Sequence, residues 1–240
     1  MKYCDLTLRT PAENLACDEV LLQMAEENPE TGEVLRVWEP VQYFVVIGYA
    51  NRAASEVNLE YCETNTIPVL RRCSGGGAVL QGPGCLNYSL VLRIAESNAF
   101  KSIPATNEFI LKRHQTALGE LLQARVEIQG QTDLAIGSLK LSGNSQRRKK
   151  DFLLFHGTFL LHLDISMVEK ALPMPSKKPQ YRLERSHGDF LMNIKAPASR
   201  VKQVLAKCWD ATGPPETIPF ERISALARDK YLSDDWNLKF

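Results

Sequence analysis

A run of three glycines, Gly75-Gly76-Gly77, lies between two β-forming segments and constrains this chain more than any other feature. Glycine loses the most backbone entropy on folding and offers no side chain to pack, so three in a row need a compensating role. A backbone without Cβ atoms lets a ligand approach closely and can turn several N–H groups toward an anion. The adjacent Arg71 and Arg72 add planar, fork-shaped donors for a carboxylate or phosphate. The alternative interpretation is a sharp turn beside two solvated arginines.

A second segment places Lys140 in an alternating strand pattern, just before the small residues Ser142-Gly143-Asn144-Ser145. A lysine at a strand end beside such a turn can reach a bound acyl phosphate and neutralise charge on the carboxylate and the α-phosphate as they react. The alternative is an outward-pointing lysine on a half-exposed strand, because most lysines are exposed.

A third segment, His156-Gly157-Thr158, interrupts an otherwise apolar strand. A histidine inside a sheet can donate to a backbone carbonyl and be satisfied there. We therefore predict that His156 supports the site from behind instead of reacting.

The composition excludes several classes of protein. With 240 residues, 44% of them hydrophobic, the chain is long enough to bury the core of one large domain spanning residues 1–240. A formal net charge of +1 provides no global field for nucleic acid or an anionic membrane. The sequence shows neither a signal-peptide pattern nor a membrane span, and its six cysteines have no metal-ligand spacing, so we expect reduced thiols and a cytoplasmic location.

Strand patterns cluster in the middle of the chain, with helices before, between and after them. This order predicts the α+β class, with a mixed, largely antiparallel sheet flanked by helices. The proline-rich segment Pro173–Arg185 has no clear periodicity and predicts a long mobile loop, which could act as a lid, or an extended crossing segment. Helices are predicted at about 11–26, 106–124 and around 201–209 and 220–227, and strands at 33–38, 43–48, 69–71, 78–80, 86–94, 125–128, 134–136, 138–141 and 152–163.

Taken in order, these segments resemble the catalytic domain of lipoate-protein ligase A, in the biotin/lipoate ligase superfamily. The resemblance covers about 14–164 and rests on several separate blocks in register. These blocks are Asn14-Leu15-Ala16 with Asp18-Glu19, Val45-Val46-Ile47-Gly48, Arg71-Arg72-x-Ser74-Gly75-Gly76-Gly77-Ala78-Val79, Asp133, Lys140-x-Ser142-Gly143 and His156-Gly157-Thr158.

The resemblance implies a role for each matching residue. Arg72 and the end of the glycine motif would contact ATP or the acyl adenylate, Lys140 would contact both lipoate and the adenylate, and Asp133 would position the nucleotide or a metal. The expected ligands are ATP, Mg²⁺ and lipoate. The full candidate binding set is Arg71, Arg72, Ser74, Gly75, Gly76, Gly77, Ala78, Val79, Leu80, Asp133 and Lys140, with Lys140 as the catalytic residue and His156, Gly157 and Thr158 behind it.

The activity implied is ATP-dependent activation of lipoate or octanoate as an acyl-AMP, followed by transfer to a lysine of a lipoyl carrier protein. Family members often have His-Asp and later Asn where this chain has Gln81-Gly82 and Cys85, which puts any nucleotide or metal contact there in question. The family's full-length ligases also carry a small C-terminal domain, and we expect it to be absent here, with its role supplied by a separate protein. The basic run Arg147-Arg148-Lys149-Lys150 is either a solvated loop or a docking surface for an acidic carrier.

Two other functions remain open from the sequence. One is an octanoyl or lipoyl transferase that takes its acyl group from a thioester through an enzyme cysteine. In such relatives the cysteine precedes the lysine block or the histidine block, and neither place holds a thiol here, so Cys73 and Cys85 are the nearest candidates. The other is a noncatalytic lipoyl-binding subunit of a complex.

Overall fold

The computed structural model describes residues 1–94 and 98–240, which contain ten strands in two sheets. The predicted class is confirmed: the larger sheet is mainly antiparallel and helices flank it. The strands are β1 (Lys2–Asp5), β2 (Val34–Trp38), β3 (Phe44–Ile47), β4 (Val69–Arg71), β5 (Val79–Gln81), β6 (Cys85–Arg93), β7 (Val126–Gln129), β8 (Asp133–Ile136), β9 (Leu139–Arg148) and β10 (Phe152–Leu160).

Seven strands form the larger sheet in the order β1-β2-β6-β10-β9-β8-β7, with only β1 and β2 parallel among the described pairs. The smaller sheet has the order β4-β3-β5. The consecutive strands β2 and β3 were both predicted, yet they do not pair with each other. Strand β2 has all five residues buried between β1 and β6, whereas β3 pairs in parallel with β4 and antiparallel with β5.

The helices of the described residues begin where local signals predict. Helix α1 starts at Pro11 behind a capping box in which Thr10 and Glu13 satisfy each other's backbone N–H groups. Helix α4 starts three residues earlier than predicted, because Ser102 caps it and Pro104 fits its first turn. The α-helices are α1 (Pro11–Glu27), α2 (Ala53–Glu56), α3 (Leu59–Thr64), α4 (Ile103–Leu122), α5 (Ile165–Ala171), α6 (His187–Phe190), α7 (Ala198–Cys208), α8 (Phe220–Leu226) and α9 (Asp234–Asn237), and a π-helical turn covers Ala227–Tyr231.

Both faces of the larger sheet are buried, which explains why its central strands are apolar almost throughout. On one face, Leu35 and Leu90 pack with α4 and α7. On the other face, Val34 and Leu154 pack with α1 and α8. A third apolar cluster lies between the smaller sheet and α5 and includes Val45 and Val168. None of the helices in the described residues is long and apolar enough to cross a membrane.

Strand β9 differs most from its prediction. It was expected to end at Leu141 and turn through Ser142–Ser145, but it continues to Arg148 and pairs with β10 along that length. The small residues are there to give neighbouring side chains room, because a Cβ on Gly143 would meet the Lys140 side chain and a Cβ on Gly157 would meet Asn144. The basic run is therefore not one loop, because Arg147 and Arg148 belong to β9; Arg147, Lys149 and Lys150 are exposed, and a docking surface for the carrier stays a prediction. Arg148 is tied inward, donating to the Thr106 hydroxyl and the Phe100 carbonyl.

Candidate active site

A cavity of about 830 Å³ lies between the smaller sheet and the face of the larger sheet that carries His156 and Thr158. Its apolar lining comes from two clusters, one with Leu15 and Val46 and one with Leu163 and Val168, and polar side chains line it as well. Several residues of 173–182 line the cavity, and Gln180–Arg182 among them form a 3-10 turn, so the segment passes beside the cavity while its role as a lid stays a prediction. Of the predicted site residues, Arg72, Gly76, Gly77, Ala78, Val79, Leu80, Asp133, Lys140, His156, Gly157 and Thr158 line the cavity.

Two glycines, Gly76 in the glycine loop and Gly48 beside it, leave no room for a side chain. Gly76 has φ +90°, a backbone conformation that suits glycine, and a Cβ there would lie 2.7 Å from Nη2 of Arg72. A Cβ on Gly48, at the end of β3, would lie 2.0 Å from the Gly76 carbonyl oxygen. By contrast, Gly75 and Gly77 have nothing within 4 Å of an added Cβ. The open space beside Gly77, which lines the cavity, is where a ligand can approach the backbone.

Arg72 holds this loop in shape. Its guanidinium donates to the Gly75 carbonyl at 2.5 and 3.0 Å and to the Gly77 carbonyl at 2.9 Å. Only 7% of the residue is exposed, and burial lowers the pKa of Arg72 to about 10, so it stays cationic at neutral pH. Nε and Nη2 are therefore engaged by the loop, Nη1 donates to the Val46 carbonyl at 3.4 Å, and the charged residue lines the cavity.

Ser74 and His156 connect the loop to the larger sheet. The Ser74 hydroxyl lies 2.5 Å from Nε2 of His156 and accepts from Nε of Arg72 at 3.1 Å. Burial, with a smaller effect from the Arg72 charge, lowers the pKa of His156 to about 4, so the imidazole is neutral near pH 7. A neutral imidazole can accept a hydrogen bond from the Ser74 hydroxyl at Nε2 or donate one to it, according to its tautomer. Ser74 itself is buried beneath the loop and does not line the cavity.

Arg71 requires a correction, since it was expected to bind the ligand with Arg72. The side chain is fully buried on the side away from the cavity. Its guanidinium donates to the carbonyls of Gly48, Tyr49 and Asn51, and to those of Trp236 and Asn237 in the C-terminal segment. Adjacent residues on a strand point to opposite faces, so two neighbouring arginines cannot both face one ligand. Arg71 instead fastens the last helix to β4.

Lys140 and Asp133 form the charged centre of the cavity. The Lys140 ammonium lies 2.8 Å from Oδ1 of Asp133, and the Tyr181 hydroxyl donates to Oδ2 at 2.9 Å. Burial and the neighbouring carboxylate raise the pKa of Tyr181, so it remains a donor. The Lys140 side chain is 23% exposed and Asp133 only 7%, so the ammonium remains accessible to a ligand while the carboxylate holds it in place. Gly143 makes this possible by leaving the space into which the lysine folds.

A polar cluster that sequence reasoning missed lies beside the glycine loop. The Gln81 amide donates to the Thr158 hydroxyl at 2.6 Å, which donates to Asn87 at 2.5 Å. Oε1 of Gln81 and Nδ2 of Asn87 are both buried and have no hydrogen-bond partner among residues 1–94 and 98–240. Buried polar atoms are nearly always paired in folded proteins, so orphaned ones facing a cavity indicate a polar group on a ligand. One feature of the sequence points to this cluster, because Gln81 departs from the family pattern.

Beneath the cavity, Arg36 and Asp18 form a fully buried ion pair at 2.6 Å. Asp18 also accepts from the Ser89 hydroxyl, and Asn14 accepts from the other end of the guanidinium. The signal was present in α1, where two polar residues four apart fall on the inward, apolar face. This network fixes α1 against β2 and β6 under the apolar end of the cavity, where Leu15, Trp38 and Val46 lie.

All six cysteines lie in the described part of the chain, and none lines the cavity. Burial raises the pKa of both Cys73 and Cys85 to about 12, so these thiols stay protonated at neutral pH. Across residues 1–94 and 98–240, no three side chains of metal-binding type are grouped as a metal site.

Known proteins resemble this chain in sequence and in fold. Lipoate-protein ligase A subunit 1 of Thermoplasma acidophilum is 27% identical over 97% of this chain and 95% of its own length. Octanoyltransferase LipM of Kyrpidia tusciae is 30% identical over 94% of each.

Two solved structures superpose with a TM-score of 0.79 at 25% identity. One is a bi-partite lipoate protein ligase described with its E2 lipoyl domain, from T. acidophilum, which matches 99% of this chain and 96% of its own. The other is a lipoate-protein ligase A bound with ATP, which matches 99% and 98%. The family model described as the lipoyl protein ligase A/B catalytic domain matches residues 10–208. This chain therefore belongs to the lipoyl protein ligase A/B catalytic domain family.

Proposed function

We propose that this protein is an ATP-dependent lipoate-protein ligase that forms lipoyl-AMP and transfers the lipoyl group to a lysine of a carrier protein. The proposal rests mainly on the position of Lys140. Asp133 holds its ammonium group in the same cavity that Gly77 of the glycine loop lines. Relatives named as lipoate-protein ligases, and the ligase structure that contains ATP, support the same reaction. Octanoate is a second candidate acyl substrate, because both fatty tails are apolar.

The cavity suits each part of the substrates. An apolar end formed by Leu15, Trp38 and Val46 can accept the hydrocarbon tail, which gains about 25 cal/mol for each Å² removed from water. The polar middle would then receive the carboxylate and phosphates beside Lys140 and the backbone of Gly77. The two reacting groups are thereby brought together, which is the main requirement for condensing two anions.

In the first step, a lipoate carboxylate oxygen bonds to the α-phosphorus of ATP as the bond to the β-phosphate oxygen breaks and pyrophosphate leaves. Negative charge accumulates on the α-phosphate oxygens. Lys140 lies where it can contact both the carboxylate and the α-phosphate, and it needs no reorganisation because Asp133 already fixes its direction. In the second step, a neutral carrier lysine attacks the acyl carbon, loses a proton and expels AMP.

Mg²⁺ is part of this proposal and would arrive on the nucleotide phosphates, where it offsets their charge. Both carboxylate oxygens of Asp133 are engaged, one by Lys140 and one by Tyr181. Its surroundings suit a residue that orients Lys140 better than a direct ligand of the cation, which usually binds phosphates and water.

The partners and setting belong to the same proposal. The related bi-partite ligase with its E2 lipoyl domain, and the relative named as a subunit 1, support a lipoyl carrier as acceptor and a separate accessory protein. Residues 1–240 would then act as a single catalytic domain. Six unpaired cysteines suit a reducing compartment, so we propose the cytoplasm.

The transferase LipM provides the second candidate, since it is 30% identical to this chain. Transfer from a thioester without ATP requires an accessible thiolate, whereas Cys73 and Cys85 are 7% and 1% exposed and have raised pKa values. The geometry thus favours the ligase over the transferase. An accessible Lys140 beside the glycine loop likewise favours a catalyst over a noncatalytic binding subunit.

The deciding experiment is pyrophosphate release by the purified chain with lipoate, ATP and Mg²⁺, and with Lys140→Ala as the control. We expect release from the wild-type protein and a loss of about 10² to 10³ in the variant. Incubation with an octanoyl-carrier thioester, followed by intact mass, tests the transferase. A protein-bound acyl group without pyrophosphate release would contradict the ligase.

A further inference from the structure

Arg182 is a buried cation with no acceptor for part of its guanidinium. The residue is 4% exposed, and its Nη2 is buried with no hydrogen-bond partner in the part of the chain that the structure describes. Its hydrogen bond from Nε goes to the Arg185 carbonyl at 3.2 Å. Within residues 1–94 and 98–240 it forms no ion pair with a carboxylate. A charged donor left unpaired inside a protein is costly, so it requires a function.

The neighbours of Arg182 are tied to Lys140. The Arg182 guanidinium carbon lies 4.8 Å from the centre of the Phe190 ring, and the preceding Tyr181 donates to Asp133, which in turn holds Lys140. Leu191, next to Phe190, forms a bridge with Lys140. Arg182 also lines the cavity. Two contacts therefore join the chain around Arg182 to Lys140, and both side chains line the same cavity.

The charge of the cavity identifies the kind of ligand that would meet it. Five cationic side chains line the cavity against three carboxylates, and Arg36 already neutralises Asp18 from below. The ammonium groups of Lys140 and Lys178 have carboxylate partners in Asp133 and Glu184. The positive charge of the cavity that no carboxylate neutralises therefore lies on groups such as Arg182. A single carboxylate would remove one charge, whereas a polyphosphate presents several oxygens in the fork-shaped geometry that arginine matches.

We propose that Arg182 binds a phosphate group of the nucleotide and that this contact fixes the segment 173–182 over the cavity. The inference rests on the proposed function, because it names a residue for the same ligand. Arg182 would be a positioning residue for the phosphates, while Lys140 remains next to the reacting atoms.

Arg185 offers a matched comparison on the same segment. It lies 5.2 Å from the same Phe190 ring, but its guanidinium donates to the carbonyls of Ser138, Tyr181, Arg182 and Asp189. Its hydrogen bonds are thus already made in the protein without ligand. Removing Arg185 should loosen the segment, whereas removing Arg182 should leave the unliganded protein no less stable.

The experiment compares wild-type protein with Arg182→Met, Arg182→Lys and Arg185→Met. Calorimetry would measure the affinity for MgATP, for inorganic pyrophosphate and for lipoate, and thermal unfolding would measure the stability of each unliganded protein. We expect Arg182→Met to bind MgATP and pyrophosphate about 10- to 100-fold more weakly, the usual loss of a charge-assisted hydrogen bond. Lipoate affinity should stay within about twofold, and Arg182→Lys should recover part of the loss, since it keeps the charge but not the fork.

The results separate the two levels of the proposal. Wild-type protein that binds no MgATP would contradict the proposed function and this inference together. Normal MgATP binding in Arg182→Met would contradict the inference alone. If Arg182→Met lost affinity for lipoate alone, Arg182 would contact the lipoate carboxylate, and its assignment to the nucleotide would be wrong. A melting temperature that falls more in Arg182→Met than in Arg185→Met would show a structural role instead.

Discussion

A methyl group at position 143 is expected to displace Lys140 while leaving the strand intact. Gly143 lies on β9, and a Cβ there would lie 2.9 Å from both Cε and Nζ of Lys140 and 3.8 Å from Oδ1 of Asp133. Non-bonded carbon atoms prefer about 3.5 to 4.0 Å. The lysine end is flexible and 23% exposed, so it moves in preference to the paired backbone. The 2.8 Å ion pair with Asp133 should then break.

The size of the effect follows from the two roles of that contact. Misplacing a catalytic group by about 1 Å can cost about 10² in rate, and removing one electrostatic contact costs about 10² to 10³. We therefore expect a loss of about 10 to 10² in Gly143→Ala and a larger loss in Lys140→Ala. The partly exposed ion pair contributes about 1 kcal/mol or less to stability. The free energy of unfolding should change by no more than about 1 kcal/mol.

The assay is single-turnover pyrophosphate release with lipoate and ATP, together with urea unfolding of each variant. Gly119→Ala in α4 is the control, since the nearest atom to its Cβ is 3.4 Å away and helical alanine should stabilise the protein by about 0.5 to 1 kcal/mol without affecting the rate. Because both changes act through the same ammonium group, the double variant Lys140→Ala, Gly143→Ala should be no slower than Lys140→Ala alone. Additive losses, or a wild-type rate in Gly143→Ala, would refute this reasoning.

Three further predictions concern the loop, its histidine and the thiols. Gly77→Ala should weaken MgATP binding, because its Cβ would occupy the open approach to the backbone, whereas Gly75→Ala, which has equal space but does not line the cavity, should bind normally in calorimetry. Acidification from about pH 6.5 toward pH 4 should destabilise the protein, because unfolded His156 takes up a proton that the folded residue, with its pKa lowered to about 4, does not. At pH 5 this amounts to about 2 kcal/mol, and urea unfolding of His156→Gln should lack that part of the pH dependence; an unchanged profile would count against it. The double variant Cys73→Ser, Cys85→Ser should still form lipoyl-AMP, and an acyl adduct on Cys85 of the wild-type protein would revive the transferase.

Most of the secondary structure could be predicted because its signals are local. Helix α1 is specified by Thr10, Glu13 and the proline that follows its cap, and β4 by the apolar pair Val69-Leu70 between Pro68 and the glycines. Errors arose where a local signal had a distant cause. The small residues of β9 were interpreted as a turn, although Gly143 among them leaves the space that the Lys140 side chain occupies.

The sequence by itself determined the family, the α+β class and the chemistry of the loop and lysine, because the motif residues must occur in a fixed order to build one site. Only the tertiary structure decided which of two adjacent arginines lines the cavity, since the alternation of a strand has no absolute direction until its sheet is packed. The same holds for Asp133, Tyr181 and Arg182, which come together from a hairpin and a distant segment. Their proximity depends on the crossing of 173–182 over the cavity, and contacts between residues so far apart in the chain leave no periodicity in the sequence.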